Sequence, residues 1–229
     1  MEENLIKQQC SKVVHMGLFK FLIGEEPSIF ETIGFYLQHG DDKGAYGEYL
    51  TQYLFNSVRF KEYYKSLTNI YVPYRNSTSE IDVLIIHQKG IYVIESKNYS
   101  GWIFGSENEQ QWTQMLNKNN KQRFYNPVRQ NKTHIKALSE YLHIEQSKMM
   151  SYIVFSERCE LKKVPSNTEE CIITKRNYLL DLINKNMDNK QNIFTNEETD
   201  EIYEKLKRLT NVSKEVKEKH IEDIKNKYK

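Results

Sequence analysis

Residues 81–97 read IDVLIIHQKGIYVIESK, and this stretch decides the fold class that the sequence predicts. Two apolar, β-branched runs, 81–87 and 91–97, flank Lys89-Gly90, a pair suited to a tight turn because glycine readily adopts positive φ. Both runs are apolar on both faces through their middles, which is typical of central, buried strands. We therefore predict a β-hairpin at the centre of a sheet.

The charged residues of this hairpin are predicted to converge at one end of it. With the turn at residues 89–90, the register places Asp82 opposite Lys97, and Glu95 becomes a diagonal neighbour on the same face. A shift of one residue would move Asp82 to the other face, so the prediction depends on the turn.

Two carboxylates at the rim of an apolar core raise each other's pKa unless a cation or hydrogen-bond donors offset the repulsion. Mg²⁺ suits this place, since it is held by one or two carboxylates together with water and phosphate oxygens. A site of this kind activates water against a phosphodiester, and Lys97 would stabilise the developing negative charge. The alternative is an ordinary salt-bridged strand end, because Glu-x-Lys is a common tripeptide, and the residues alone leave both interpretations open.

The remaining hydrophobic patterns predict an α/β (α+β) fold, in which helices flank a central mixed sheet. Further strands are predicted at 69–74, 149–155 and 171–173, and residues 102–104 are predicted to extend the same sheet. Helices are predicted over 1–40, 43–66 and 126–142 and through most of the chain after 175, whereas 105–125 is predicted to be a loop with a short helical piece. The predicted domains are a helical N-terminal extension at 1–40, a core at 41–174 and a helical C-terminal extension at 175–229.

Composition narrows the class of protein further. The 229 residues carry a net charge of only +2, so any affinity for nucleic acid must come from a local basic patch. The three cysteines, Cys10, Cys159 and Cys171, have no metal-ligand spacing and favour a reducing compartment. No apolar run approaches the ~20 residues needed to cross a membrane, so the sequence predicts a cytoplasmic protein without a membrane partner.

One segment has the composition of a nucleic-acid-binding surface. Residues 110–139 contain no acidic residue but several basic ones, with aromatic residues between them. Cations can contact phosphates and aromatic rings can stack on bases. The predicted nucleic-acid-binding residues are Lys118, Lys121, Arg123, Arg129, Lys132, Trp112 and Tyr125. The alternative is a solvated helix face with core aromatics. Gln130 and His134 lie one helical turn apart, but His134 by itself is more typical of a packed or surface histidine than of a ligand.

Taken together, these motifs resemble the NERD (nuclease-related) domain, a branch of the PD-(D/E)xK nuclease superfamily. The resemblance covers about residues 41–160, and the tail at 212–224 also looks like the ends of some members. The motifs that carry it are Gly44-Ala45-Tyr46-Gly47-Glu48, Ser79-Glu80-Ile81-Asp82, GIYVIESKNY at 90–99, Gly101, and Asn126-Pro127-Val128-Arg129-Gln130-Asn131 with His134. The family often has Gln where this chain has Glu80, and His where it has Val83.

The resemblance implies a restriction-endonuclease-like core and a set of functional residues. Asp82, Glu95, the Ser96 carbonyl and Glu48 would be ligands of Mg²⁺ or Mn²⁺, and Lys97 would be the catalytic lysine. Gln130 would hold the substrate or support the site. The residues around Glu48 favour an ordinary solvated glutamate, so its role rests on the resemblance.

Three functions follow as hypotheses. The first is a metal-dependent nuclease that acts on nucleic acid, with DNA favoured. The second is a nucleic-acid-binding module of the same fold with little or no turnover. The third is an interaction protein whose terminal helices dock onto a protein partner or onto a second copy of the chain.

Overall fold

The computed structural model describes Phe60 and residues 62–227. The predicted helix at 1–40, almost all of the predicted helix at 43–66, and Glu48 lie outside these residues. The described part of the chain is an α+β structure of two mixed sheets flanked by four helices, which confirms the predicted fold class. Its elements are β1 (Tyr64–Tyr74), β2 (Ser77–His87), β3 (Gly90–Lys97), β4 (Gly101–Phe104), β5 (Gln111–Asn117), β6 (Asn120–Tyr125), α1 (Pro127–Leu142), β7 (Met149–Phe155), β8 (Cys159–Lys163), β9 (Cys171–Lys175), α2 (Leu179–Asp188), α3 (Asn196–Lys207) and α4 (Lys214–Lys227).

The first sheet has the strand order β1-β2-β3-β7-β9, so the predicted hairpin lies at its centre. β1, β2 and β3 are antiparallel, whereas β7 runs parallel to β3 and β9 runs parallel to β7. β1 begins at Tyr64, so the predicted helix at 43–66 is wrong over its last residues. The β-branched Val, Ile and Thr residues of these strands suit the half-buried surface of a pleated sheet.

The prediction that residues 102–104 extend this sheet is wrong, because these residues form the first strand of a second sheet. The second sheet has the order β6-β5-β4-β8. The chain leaves the first sheet after Lys97 and turns at Gly101, whose φ is +76°; a Cβ at this glycine would lie 2.4 Å from the Met115 carbonyl oxygen. Only glycine accepts both the left-handed conformation and this close approach.

The prediction for 105–125 is also wrong, because most of this segment forms the β5–β6 hairpin. Trp112 and Gln114 point into the interior and their neighbours point outward. The amide of Gln114 is buried because its Nε2 donates to the Ser100 carbonyl at 2.8 Å. Because Gln114 is polar although it points inward, the sequence lacks the apolar-polar alternation of a half-buried strand. For this reason the segment was predicted to be a polar loop. The short strand β8 was not predicted.

Helix α1 packs across the first sheet and begins as the sequence predicts. Asn126 caps it by accepting hydrogen bonds from the backbone N–H groups of Val128 and Arg129, and Pro127 occupies the first turn. Ile135 and Leu138 of α1 join the apolar core of the first sheet. Asn131 fixes the helix further, because its Nδ2 donates to the Val93 carbonyl at 2.9 Å and to the Ser151 hydroxyl at 2.8 Å.

The C-terminal region is helical, as predicted for the chain after 175. Ile202 and Leu206 of α3 are buried in the core of the first sheet. α4 packs against β2, where His220 Nδ1 lies 2.9 Å from the Thr78 hydroxyl and Asp223 accepts a hydrogen bond from Ser77. None of the helices that the structure describes has the length and apolar character needed to cross a membrane.

Candidate active site

The β2–β3 hairpin brings the predicted charged residues to one end, but in a different register from the one expected. His87 pairs with Gly90, so the turn residues are Gln88 and Lys89 rather than Lys89 and Gly90. The register therefore differs by two residues from the prediction, and continuing it places Asp82 across from Glu95, not Lys97. A shift of two residues keeps every side chain on its face, so the predicted convergence survives.

Asp82 lies where the two strands separate. The backbone pairing of β2 and β3 ends at Val83 and Ile94, and beyond this pair a side chain makes the next hydrogen bond between the strands. The Asp82 carboxylate accepts a hydrogen bond from the Ser96 backbone N–H at 2.7 Å. This bond holds the carboxylate at the end of β3, beside Lys97.

Glu95 and Lys97 form a buried ion pair on the face of β3 that α1 covers. Glu95 is 1% exposed, and the Lys97 ammonium donates to its Oε1. The same ammonium donates to Gln130 Oε1 on α1 at 3.2 Å. The structure thus joins Asp82, Glu95, Lys97 and Gln130 in one group.

Burial would raise the pKa of the Glu95 carboxyl, but Lys97 and His134 outweigh it and hold the pKa below its usual range. Burial would lower the pKa of Lys97, but Glu95 and Asp82 raise it well above its usual range. Both groups are therefore charged near neutral pH. The Lys97 side chain therefore presents a positive charge to its neighbours in this site.

His134 is a site residue that sequence reasoning missed. Its Nε2 lies 3.0 Å from Glu95 Oε2, and its Nδ1 lies 2.6 Å from the Ser79 hydroxyl. In the neutral tautomer that donates to the carboxylate from Nε2, Nδ1 accepts a hydrogen bond from the Ser79 hydroxyl. The signal was its position one turn after Gln130, which places both side chains on the same face of α1.

These residues open onto a cleft of about 740 Å³. Asp82, Lys97, Gln130 and His134 line its floor, and Tyr99, Phe124 and Tyr125 contribute aromatic walls. Burial raises the pKa of the Tyr99 hydroxyl, which stays protonated at neutral pH. Helix α4 also reaches the cleft, since His220 and Asp223 lie at its rim.

Comparison of the sequence with known proteins identifies the family of this chain. Residues 43–156 match the nuclease-related domain, NERD. An uncharacterized protein of Bacillus anthracis is 34% identical over 187 residues, which make up 81% of this chain and 85% of that protein. The chain belongs to the NERD family. No solved structure gives a significant match.

The NERD match contains every described member of the charged group, including His134, and ends one residue after β7. β8, β9 and helices α2–α4 lie beyond it. The wall of the cleft that α4 provides is therefore a feature outside the matched domain, although the Bacillus anthracis relative aligns over most of the chain.

The predicted nucleic-acid-binding residues of this NERD protein are spread over several surfaces. Lys118, Lys121 and Arg123 are exposed on the β5–β6 hairpin. Arg129 is exposed on α1, where its Nη1 lies 3.4 Å from the Asn108 carbonyl, and Lys132 pairs with Glu107 at 2.8 Å.

The two aromatic residues of that prediction differ in their exposure. Tyr125 lines the cleft, where a ring can meet a substrate. Trp112 is fully buried and stacks on Phe155 with their ring centroids 6.3 Å apart. Its indole cannot reach a base, so the prediction for Trp112 is wrong. The bulk of the indole fills the core beneath the second sheet instead.

The metal-ligand set remains a prediction. Within Phe60 and residues 62–227, no group of three or more His, Cys, Asp and Glu side chains is arranged to hold a metal ion. Asp82 and Glu95 with the Ser96 backbone are a sparse set of oxygen donors, which is the kind that Mg²⁺ and Mn²⁺ accept when water and phosphate complete the coordination. Each oxygen of Glu95 already has one partner, Lys97 or His134, so a cation would share the carboxylate with them or replace one of them.

Proposed function

We propose that this NERD protein is a metal-dependent nuclease that hydrolyses phosphodiester bonds in nucleic acid, with DNA as the favoured substrate. The observation that carries the proposal is the Lys97 ammonium, which lines the cleft and is held by Glu95, Asp82 and Gln130. Carboxylates that would hold a metal ion, with a fixed ammonium beside them, suit a phosphate group, because the ion and the ammonium together would stabilise the negative charge that increases during hydrolysis.

The oxygen donors fit Mg²⁺ or Mn²⁺, which Asp82, Glu95 and the Ser96 carbonyl would hold, with Glu48 as a further ligand by family resemblance. Such an ion supplies a water of lowered pKa and neutralises charge on the phosphoryl oxygens. The chain's own residues provide the positioning. Gln130 orients the Lys97 ammonium towards the cleft, and His134 fixes the plane of the Glu95 carboxylate.

A second candidate is a nucleic-acid-binding module that turns over slowly or not at all. The engagement of both Glu95 oxygens favours it, because a carboxylate that already pairs with the Lys97 ammonium and is hydrogen-bonded to His134 has less attraction for a cation. Cleavage separates this candidate from the nuclease, since binding alone does not.

The test is cleavage by wild type, Lys97→Met and a matched control, Lys185→Met. Lys185 is an exposed lysine on α2, away from the cleft. Supercoiled plasmid, linear duplex, single-stranded DNA and RNA would each be incubated with Mg²⁺, Mn²⁺ or EDTA. We expect metal-dependent cleavage by wild type and Lys185→Met and a loss of about 10²–10³-fold in Lys97→Met.

Cleavage that persists in EDTA, or that Lys97→Met retains, would contradict the mechanism. If wild type is inert on all four substrates but binds them, the binding module becomes the better description. If neither wild type nor Lys185→Met cleaves but both bind, the result therefore supports the binding module.

A further inference from the structure

The outward face of the second sheet carries aromatic and cationic side chains in register. We call it the outer face and define it by two rows across β4, β5 and β6. Trp102, Met115 and Lys121 form one row, and Phe104, Thr113 and Arg123 form the next. Ile103 and Gln114, which lie between the rows, and Trp112, which lies next to the second row, are buried on the opposite face.

Trp102 is unusually exposed for a tryptophan in a folded core domain. Its residue is 45% exposed, whereas Trp112 on the other face of the same sheet is fully buried. The Lys162 ammonium lies 5.2 Å from the centre of the Trp102 ring, which places a positive charge against the indole. An exposed ring beside a cation offers a partner both a stacking surface and a positive charge.

A second observation comes from the other row. A shallow pocket of about 370 Å³ opens beside Phe104, and Thr113, Arg123 and Lys163 line it. Phe104 is half-buried and lines this pocket, so part of its ring is accessible there. The pocket and the Trp102 ring therefore lie on adjacent rows of one surface.

The outer face and its margins carry more basic than acidic residues, with Lys121, Arg123, Lys162 and Lys163 against Glu160 and Glu109, the last of which lines the pocket beside Phe104. Lys121 and Arg123 are exposed, and neither forms an ion pair with another described residue. Glu160, the acidic residue next to Trp102, already pairs with Lys162. The excess of cations predicts an anionic partner.

We propose that the outer face binds a single strand of nucleic acid, with bases stacked on Trp102 and Phe104 and phosphates on Lys121, Arg123 and Lys163. Alternating rings and cations are how proteins hold unpaired strands, since every base has a flat π face and every linkage a charge. A duplex keeps its bases stacked on one another, so it cannot use the two rings.

The place of this face relative to the cleft gives it a role. β6 is one of the two edge strands of the second sheet. Its Phe124 and Tyr125 line the cleft, while Arg123 lies on the outer face. The two surfaces share this strand as their border. A strand that leaves the cleft past Tyr125 meets Arg123 next, so the outer face would guide the unpaired end of a substrate or product. This role rests on the proposed nuclease function, but the binding itself does not.

Binding is therefore measured in EDTA, where no metal-dependent cleavage occurs. The full chain would be titrated into fluorescein-labelled dT20, U20 and a blunt 20-base-pair duplex, and anisotropy would be followed at several salt concentrations. Intrinsic tryptophan fluorescence provides a second readout, because Trp102 is exposed and Trp112 is buried.

The variants separate stacking from charge. We expect Trp102→Ala to weaken dT20 binding about tenfold and Trp102→Phe to recover most of it, since phenylalanine still stacks. Arg123→Gln should weaken binding several-fold and lower the slope of log K against log salt by about 0.7. Tyr178→Ala, which removes an aromatic residue that is 56% exposed, and Lys185→Gln should bind as wild type does.

Quenching of tryptophan fluorescence by dT20 should disappear in Trp102→Phe although binding persists. Equal affinity for the duplex, or a Trp102→Ala protein that binds as tightly as wild type, would overturn the proposal. Displacement of dT20 by poly-L-glutamate without any Trp102 quenching would also overturn it and indicate an acidic protein partner.

Discussion

At the scale of single residues, the candidate site depends on how each charge is partnered. Lys97 keeps its proton because two carboxylates face it, and Glu95 stays ionised because Lys97 and His134 offset its burial. Removing one partner leaves the others uncompensated in a place that water barely reaches, and such losses cost more than the bond itself.

His134 is the first residue to test, because it touches Glu95 from the side opposite Lys97. We expect His134→Ala to reduce metal-dependent cleavage by 10–100-fold, the usual effect of losing the group that orients a ligand carboxylate. Ser79→Ala removes only the bond to the far side of the imidazole and should cost less. The measurement is the cleavage rate across a titration of Mn²⁺. An unchanged rate at every Mn²⁺ concentration would show that His134 is a structural residue.

A second residue, His87, predicts how stability depends on pH. Its side chain is fully buried, and its Nδ1 accepts the Lys89 backbone N–H at 3.0 Å. Burial lowers the pKa of His87 to about 4, so between pH 6.5 and 4 the unfolded chain binds a proton that the folded protein excludes. Stability contributed by this group is therefore present above pH 6.5 and lost as the pH falls.

From this shift we expect the free energy of unfolding to fall by about 2 kcal/mol between pH 7.5 and pH 5. Urea unfolding at the two pH values measures the change. His87→Gln should show a smaller decline than wild type. The matched control is His143→Asn, which changes an exposed histidine at the end of α1, where asparagine tolerates the positive φ of 58°. If His87→Gln and wild type decline equally, the neutral buried histidine is not the cause.

At the scale of elements, α1 decides whether the site forms, since it supplies both Gln130 and His134 to the charged residues of β3. Its position is fixed at the start by Asn126. That side chain caps the helix with its oxygen, and its Nδ2 donates to three carbonyls of the 106–109 loop. A single buried side chain therefore links the helix to the second sheet.

We expect Asn126→Ala to lower the free energy of unfolding by about 2–4 kcal/mol, because it removes a helix cap and takes the side-chain donor away from the Glu107 and Glu109 carbonyls. Cleavage should fall with it, as α1 loses its fixed start. Thr195→Ala provides the control: it removes the capping box of α3 and should cost about 1 kcal/mol without a change in activity. Chemical denaturation and cleavage on the same samples would check both effects, and a loss below that of Thr195→Ala would contradict them.

At the scale of the whole molecule, metal binding and folding are linked. A ligand that binds only the folded protein stabilises it, by about 2.7 kcal/mol at a concentration one hundred times its dissociation constant. If Asp82 and Glu95 hold Mn²⁺, the ion should raise the melting temperature of the whole chain, even in the absence of substrate.

We expect a rise of several degrees on replacing EDTA with excess Mn²⁺. Asp82→Asn should abolish this rise, whereas Glu140→Gln, which changes an exposed glutamate on α1, should keep it. Differential scanning calorimetry gives the comparison directly. A rise that Asp82→Asn retains would place the ion elsewhere on the protein.

Much of the fold and part of the site could be predicted from local pattern. The apolar runs at 81–87 and 91–97 predicted the central hairpin because burial on both faces requires continuous hydrophobicity. Asn126-Pro127 predicted the start of α1 because a cap and a proline suit the first turn. The period of two along β3 placed Glu95 and Lys97 on one face, whatever the turn.

The sequence by itself thus determined the fold class, the hairpin and the charges that share a face, since these follow from interactions between neighbours along the chain. Only the tertiary structure decided that His134 meets Glu95, that Trp112 is buried while Trp102 is exposed, and that residues 102–125 form a second sheet. Each of these depends on contacts between segments far apart in sequence, as when Gln114 finds the Ser100 carbonyl and so becomes an interior residue. Local composition does not encode such partners, because burial of a polar or aromatic side chain depends on what the folded chain places against it.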